Sequence, residues 1–449
     1  NQTRYQIHHC LLEKKILDQN MEINECLTNP GVFIDIDGVV LQGGKPFEWS
    51  KEAIHALWNN DIPFVFVTNG TYCSAVLVDN LTKILELPFT SDHVVVAPSP
   101  CHALTQYHDQ RVLVCCQQDS YGLIAELGFS DYLTVEELVQ IFPDLDYIDH
   151  NKRKILLNTP LTTEQIQAQQ DFRPINAILL LGEPINWECS LQVLIDILMT
   201  NGDPRAKFKF VPSPHLPVIA CNKDLTFKGA AALPRFGHGA FLECLESLYM
   251  KITKNELVYE ELMGKPYLVT YEYAAEQIQR FSKNGNRINK FYIIGDNPEV
   301  DIKGANAFKE HLVELESKSS RRSSRRASCQ NSRRHSLAVP EFFTLEMKNT
   351  EHVESILVST GVYNPNNDLM VHLRNLFNSH IDTNNNDENL NIQKIKKELN
   401  GHLDKNELRD ALSRKNSFIS YFDDQENIPD LTVDNLKDAV DHIIKRSRL

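Results

Sequence analysis

The regular part of the chain opens on a largely apolar run, "GVFIDIDGVV" (31–40), in which two acids stand one residue apart and glycine follows them. A run this short and this rich in β-branched residues predicts a strand buried on both faces. "KEAIHALWNN" (51–60) then places its apolar residues at helical intervals, "IPFVFVTNG" (62–70) predicts a second buried strand, and "TYCSAVLVDNLTKILEL" (71–87) a second helix. Strand, helix, strand, helix is how a doubly wound α/β sheet begins. The alternation continues through 101–225, where "RVLVCC" and "AILLLGE" are strand-like and "SYGLIAELG" and "CSLQVLIDILMTNG" helix-like. From 235 on, helices in "GAFLECLESLYMKI" and "TYEYAAEQIQRFSK" precede the strands "KFYIIGDN" and "ESILVSTGV", which return the chain to its first sheet. The expected fold class is therefore α/β. A Rossmann-like core with a parallel, doubly wound sheet is formed by 31–100 and 226–365, and a large α/β unit of 101–225 is inserted into it.

Three stretches fall outside this pattern. Residues 1–30 form a separate N-terminal segment. "ESKSSRRSSRRASCQNSRRHSLA" (316–338) has almost nothing to bury and is expected to be a disordered basic insertion on the surface. Within it "RRAS" and "RRHS" set Ser328 and Ser336 behind paired arginines, the arrangement basophilic kinases favour; the plainer reading is a solvated basic loop. Residues 366–449 read as a C-terminal extension, partly disordered and ending in the helix of "VDNLKDAVDHIIKRSRL". Its tract "DTNNNDENLNIQ" has Asp387 where a calcium loop needs glycine and Gln393 where it needs glutamate, so a flexible loop is expected there.

Composition narrows the function classes. With 46 basic against 60 acidic residues in 449, the net charge of -14 disfavours non-specific binding to nucleic acid or to an anionic membrane. No apolar stretch approaches the ~20 residues of a membrane span, and the chain reads as soluble. Ten cysteines without a CxxC pair give no zinc or thiol-redox framework and point to a reduced, intracellular compartment. The opening residues show neither a secretory apolar core nor an arginine-rich, acid-poor transit pattern.

Acids at the carboxyl end of a buried strand fall where open α/β sheets bind their ligands, and a paired cation makes them tolerable there. Three further features stand at strand ends or helix starts: Thr68 with Asn69 in "FVFVTNG", Lys265 in "LMGKPYL", and Asp296 with Asp301 in "YIIGDNPEVD". Together they supply a carboxylate nucleophile, an acid/base, a hydroxyl donor, an ammonium and metal-binding carboxylates, which is what phosphoryl transfer requires. Each also has a plain structural reading. Asp35 and Asp37 would cap the next helix, Thr68 and Asn69 form an ordinary turn, Lys265 lie solvated on the surface, and Asp296 serve as a helix N-cap.

In this order, the set resembles the haloacid dehalogenase superfamily over residues 31–365, with "DIDGV", the strand ending in Thr-Asn, "GKP" and "GDNPEVD" matching its four motifs. The insertion, carrying "LLLGEPINWECSLQVLIDILMTNG" and "PVIACNKDLTF" and followed by "RFGHGAFLECLES", is similar to the large α/β cap of the NagD and 4-nitrophenylphosphatase group. Within that group, "YHDQRVLV", "PRFGHGAFL" and "SILVSTGVYNP" resemble the haloacid dehalogenase-like hydrolase domain-containing proteins.

The resemblance implies a magnesium-dependent phosphatase of a small phosphorylated metabolite, with no nucleic-acid partner, and it associates such chains with mitochondria and glycerophospholipid metabolism. On this reading Asp35 attacks phosphorus and Asp37 is the acid and base. Thr68 and Lys265 bind the transferring oxygens, and Gly38 lets backbone amides approach them. Mg2+ would be held by the Asp35 carboxylate, the Asp37 carbonyl and Asp296, with Asp301 behind them. Asn69, Asn222, Asp224 and Arg235 are candidate substrate contacts, the last three equally candidates for stabilising the hinge to the cap. His238, between two glycines, reads as a loop residue rather than a metal ligand. The cap is expected to close over the site and exclude water. "NGT" at 69–71 is formally a glycosylation sequon, read as accidental because it falls on the second motif. Two alternatives stay open: a protein that keeps the fold but acts by binding, and a different reaction such as that of the dehalogenases, phosphonatases or mutases.

Overall fold

The computed structural model describes residues 29–117, 121–147, 150–227, 235–282, 287–322, 353–363 and 425–447. Ser328, Ser336, the tract 382–393 and nearly all of the N-terminal segment lie outside these.

Six parallel strands make the core sheet. In chain order they are β1 (Pro30–Ile34), β2 (Phe64–Thr68), β3 (Val94–Val96), then, far along the chain, β9 (Lys290–Gly295), β10 (Val353–Val358) and β11 (Leu431–Val433), in the spatial order β11-β10-β9-β1-β2-β3. Strict alternation explains how both faces are covered. Phe33, Val65, Val67, Val95, Phe291 and Ile293 point to one side, where helices α5 (Leu268–Gln279) and α6 (Lys303–Arg322) pack through Tyr271, Ala274, Ile278, Phe308 and Leu312. Val32, Ile34, Phe64, Phe66, Val94, Val96, Tyr292 and Ile294 point to the other, against helices α1 (Ser50–Asn59) and α2 (Ser74–Leu85). The register sets Ile34 opposite both Ile294 and Phe66, so the carboxyl ends of β1, β2 and β9 come out along one edge.

The inserted unit is a second parallel sheet of five strands: β4 (Val112–Cys115), β5 (Tyr132–Thr134), β6 (Ala177–Leu180), β7 (Val218–Cys221) and β8 (Glu261–Met263), in the order β8-β7-β6-β4-β5. Alternation again splits its residues. Leu113, Ile178 and Leu180 face helices α3 (Trp187–Met199) and α4 (His238–Thr253), while Val112, Val114, Ala177 and Leu179 join the same apolar cluster as Val32 and Ile34 of the core. The inserted unit thus reaches past the expected boundary at 225. Helix α4, expected in the core, buries Phe241, Leu242, Leu245 and Tyr249 against the cap sheet, and β8 pairs with β7. The boundary was hidden because β8 is only three residues long and carries one buried side chain, Met263.

Two other expectations change. Helix α6 runs on to Arg322, through the first residues of the stretch read as a basic insertion. Residues 425–447, the described part of the C-terminal extension, belong to the core: β11 is the outermost strand of its sheet, and helix α7 (Leu436–Ser447) buries Leu436, Ala439, Val440 and Ile443 in the cluster that contains Val32 and Ile34. Glu354, buried on β10, meets Arg446 Nη1 and His442 Nε2 of that helix at 2.8 Å and Lys290 Nζ at 3.3 Å, so its carboxylate is matched by partners. Among the described residues no helix is long and apolar enough to cross a membrane.

Truncating a fully buried isoleucine in a well-packed core costs about 2–5 kcal/mol. Ile443→Ala is therefore expected to lower the stability of the whole core by that amount in chemical denaturation. An unchanged unfolding midpoint would show that α7 is not part of the cooperative unit.

Candidate active site

Asp35 is the first residue beyond β1. Its backbone N–H still donates to Ile294 O at 2.9 Å, which keeps the residue in the line of the sheet, and its side chain is buried. The chain then turns sharply. Ile36 O accepts the N–H groups of Val40 and Leu41 at 2.9 and 2.8 Å, Gly38 N donates to Leu41 O at 2.7 Å, and Gly38 takes a φ of 91°, open to glycine at little cost. The turn sends the Asp37 side chain out to solvent at the lip of the site. Burial of its surroundings raises its carboxyl pKa, and Lys265 opposes the rise.

Lys265 is almost wholly buried, with 4% of its side chain exposed, so it is not a solvated surface lysine. Its Nζ donates to Asp35 Oδ1 at 2.5 Å and to Asp301 Oδ1 at 2.7 Å. Burial alone would lower its pKa, but the charges of Asp301 and Asp35 hold it well above the usual lysine range. Asp35 is pushed well up by burial, which outweighs the attraction of Lys265 and is reinforced by Asp301 and Asp296. Asp296 is raised to about 7, first by burial and then by Asp301. One ammonium thus faces three buried carboxylates.

Asp296 follows β9 and is clamped by the segment after β10. Val362 N donates to its Oδ2 at 2.5 Å, Tyr363 N to its carbonyl at 2.9 Å, and Thr360 Oγ1 to Gly38 O at 2.5 Å. Gly38 and Gly361 make this possible. A Cβ on either would run into Asp296 Oδ2, and the two glycines lie back to back with no room for a side chain between them. Gly38 therefore makes room for a neighbouring carboxylate. The role of Thr360–Val362 was missed in the sequence although "STGV" is distinctive, because it carries no acid, base or cation. The N-cap reading of Asp296 fails, since Asn297 takes that place, its side chain accepting from Glu299 N at 3.0 Å.

Thr68 is buried at the end of β2, and its Oγ1 accepts from Gly70 N at 3.1 Å, leaving its own proton to donate elsewhere. Asn69 bonds to both backbone groups of Lys265 and to Asp224 Oδ2, and Asn222 Nδ2 donates to Asn69 O at 3.0 Å. The structure thus brings Asp35, Thr68, Asn69, Asn222, Asp224, Lys265, Asp296 and Asp301 together through the linked strand ends. Arg235 stands apart in kind, on an exposed two-stranded ribbon of Thr226–Phe227 with Arg235–Phe236. His238 is not a loop residue. It opens helix α4, is buried, places Nδ1 2.6 Å from Cys221 O, and burial lowers its pKa to about 4.

Asp35, Asp296 and Asp301 each offer one oxygen, and these atoms lie within 4.8 Å of one another. An all-oxygen, buried, under-neutralised set suits a hard divalent cation. In the cation-free protein Asp296 keeps a proton between its ordinary 3.8 and about 7 that the unfolded chain has already lost. Folded stability should therefore fall as pH rises through that window, and cation binding should release the proton. Titration calorimetry with Mg2+ is expected to show proton release at about pH 6, tighter binding and little release at about pH 8.5, and neither in Asp296→Asn. Equal affinity and no proton exchange at both would oppose this assignment. Gly361→Ala, by displacing Asp296, is expected to weaken the cation about 10–100-fold with the fold retained, read by the same titration.

Comparison with known proteins agrees with the geometry. The family model described as haloacid dehalogenase-like hydrolase matches residues 32–130, and the one described as HAD-hydrolase-like matches residues 262–333. A cardiolipin synthase (CMP-forming)/mitochondrial hydrolase fusion protein of Schizosaccharomyces pombe is 28% identical over 284 residues, 62% of this chain and 46% of that protein, so the chain spans about half the length of that relative. A mitochondrial hydrolase of Saccharomyces cerevisiae is 23% identical over 301 residues, 60% of this chain and 82% of that protein. The solved p-nitrophenyl phosphatase from Archaeoglobus fulgidus is 14% identical, aligned over 92% of this chain and 99% of that one with a TM-score of 0.48. The two matched segments hold the strand end with Asp35, the Thr-Asn pair, Lys265, Asp296 and Asp301, in an α/β fold of parallel sheets; over these segments the chain is similar to the haloacid dehalogenase-like hydrolases.

Proposed function

We propose that this hydrolase is a magnesium-dependent phosphatase that works through an aspartyl-phosphate on Asp35. The observation that carries the reading is the buried contact of Asp35 with Lys265, which sets a carboxylate nucleophile beside the ammonium that can bind the transferring oxygens. An Asp35 oxygen attacks phosphorus, the bond from phosphorus to the leaving oxygen breaks, and Asp37, whose carboxyl pKa is raised by burial against the pull of Lys265, gives that oxygen a proton. Asp37 then takes a proton from water, whose oxygen attacks phosphorus and releases the Asp35 carboxylate. Forming the acyl phosphate removes the negative charge of Asp35 while bringing phosphoryl oxygens to the same place, so Lys265 exchanges one anionic partner for another. Thr68 adds a hydroxyl donor. Asp35, Asp296 and Asp301 would hold the cation, which when bound offsets charge on the phosphoryl oxygens.

Both curated relatives are described as mitochondrial hydrolases, and one is fused to a CMP-forming cardiolipin synthase. These descriptions support a mitochondrial setting and a substrate among the phosphorylated intermediates of phospholipid synthesis.

The test is a panel of phosphorylated metabolites that includes glycerol phosphates and phosphorylated lipids, assayed with Mg2+ and with a chelator. Phosphate release is expected only with the cation, and Asp35→Asn should lose at least about 10³-fold in turnover while unfolding like the wild type. A variant that keeps wild-type turnover would remove Asp35 as nucleophile. A blank panel with folded protein would favour the binding reading.

A further inference from the structure

We infer that Asn69 is a positioning residue that locks the Lys265 peptide and couples the cap to the core, rather than a ligand of the substrate. The inference rests on Lys265 being catalytic, as proposed above. A primary amide offers two N–H donors and one carbonyl. In Asn69, Oδ1 accepts from Lys265 N at 2.6 Å, and Nδ2 donates to Lys265 O and to Asp224 Oδ2, both at 2.9 Å. Both donors are used, so none remains for a phosphoryl oxygen.

The partners show what is being locked. Lys265 lies two residues beyond β8, the last strand of the cap sheet, so its position follows the cap. Asp224 and Asn222 lie just beyond β7, beside β8. Asn222 ties this corner together: its N–H donates to Met263 O at 2.8 Å, its Nδ2 to Asn69 O at 3.0 Å, and its Oδ1 accepts from Asp224 N at 2.8 Å. Both of these segments are therefore pinned to one core side chain. That side chain grips Lys265 by its backbone N–H and C=O, as a neighbouring strand would, and leaves its ammonium aimed at Asp35 and Asp301. Since a misplacement of ~1 Å near reacting groups can cost about 10²-fold in rate, loosening this grip should show in turnover rather than in substrate affinity.

A charge swap tests it. Asn69→Asp keeps an acceptor for Lys265 N, loses both donors and faces Asp224 with like charge. Asp224→Asn alone leaves an amide that Asn69 can still bond. The double variant restores an amide–carboxylate pair with the partners exchanged. The expected result is a fall in kcat of about 10²-fold for Asn69→Asp with KM within about threefold, a smaller loss for Asp224→Asn, and recovery of at least about tenfold in the double variant. A substrate-ligand role predicts a raised KM and no recovery. A merely structural joint predicts parallel losses of Tm with kcat unchanged below the transition. Either outcome overturns the inference. If Asn69→Asp does not fold, Asn69→Ala reads the same coupling, because Asp224→Ala should then add no further loss of kcat; a full further loss overturns it. An inert wild type would instead overturn the functional reading, and this inference with it.

Discussion

The structure depends on one charge balance, the Lys265 ammonium held between Asp35 and Asp301 in a site with almost no access to water. Carboxylates buried without a partner would take up protons or destabilise the fold, and removing one member of such a group typically costs about 3–5 kcal/mol. The lysine is delivered by the chain segment that returns from the cap, whereas Asp35 follows core strand β1 and Asp301 lies in the helical turn Pro298–Ile302 after β9. The core therefore cannot settle its own charges without the cap, and the two sheets are electrostatically one unit.

Packing reinforces that unity. Val112, Val114, Ala177, Leu179, Ile219 and Met263 of the cap sheet share an apolar cluster with Val32, Ile34, Phe66 and Val96 of the core. A cap docked through a common hydrophobic cluster is held far more firmly than a loop lid.

Much of this was legible in the sequence, for definite reasons. Buried parallel strands read as apolar runs, and acids placed at their ends are costly enough to need a function, so Asp35, Asp37, Lys265, Asp296 and Asp301 stood out. The resemblance to a known family then added the order of the motifs. What stayed hidden had weak local signals. Glu261–Met263 and Leu431–Val433 are three-residue strands whose pairing is decided by neighbours far away in the chain, so the cap was drawn too short and the C-terminal segment was set outside the core. Gly361 and Val362 act through a missing Cβ and a backbone N–H, neither of which composition reveals. Asn69 looked like a substrate donor because its type allows it; only the bonds to Lys265 and Asp224 show that its donors are used.

Thr360 meets Gly38 across 322 positions of sequence, and Val362 supplies the N–H that fixes Asp296. During synthesis the amino-terminal strand emerges from the ribosome long before this segment exists. Until then the site has its lysine but not its clamp. Contacts this remote in the chain form late, because the loop between them must first be closed. A chain that stops short of residue 360 would carry Asp35, Asp296, Asp301 and Lys265 and still lack the groups that clamp Asp296.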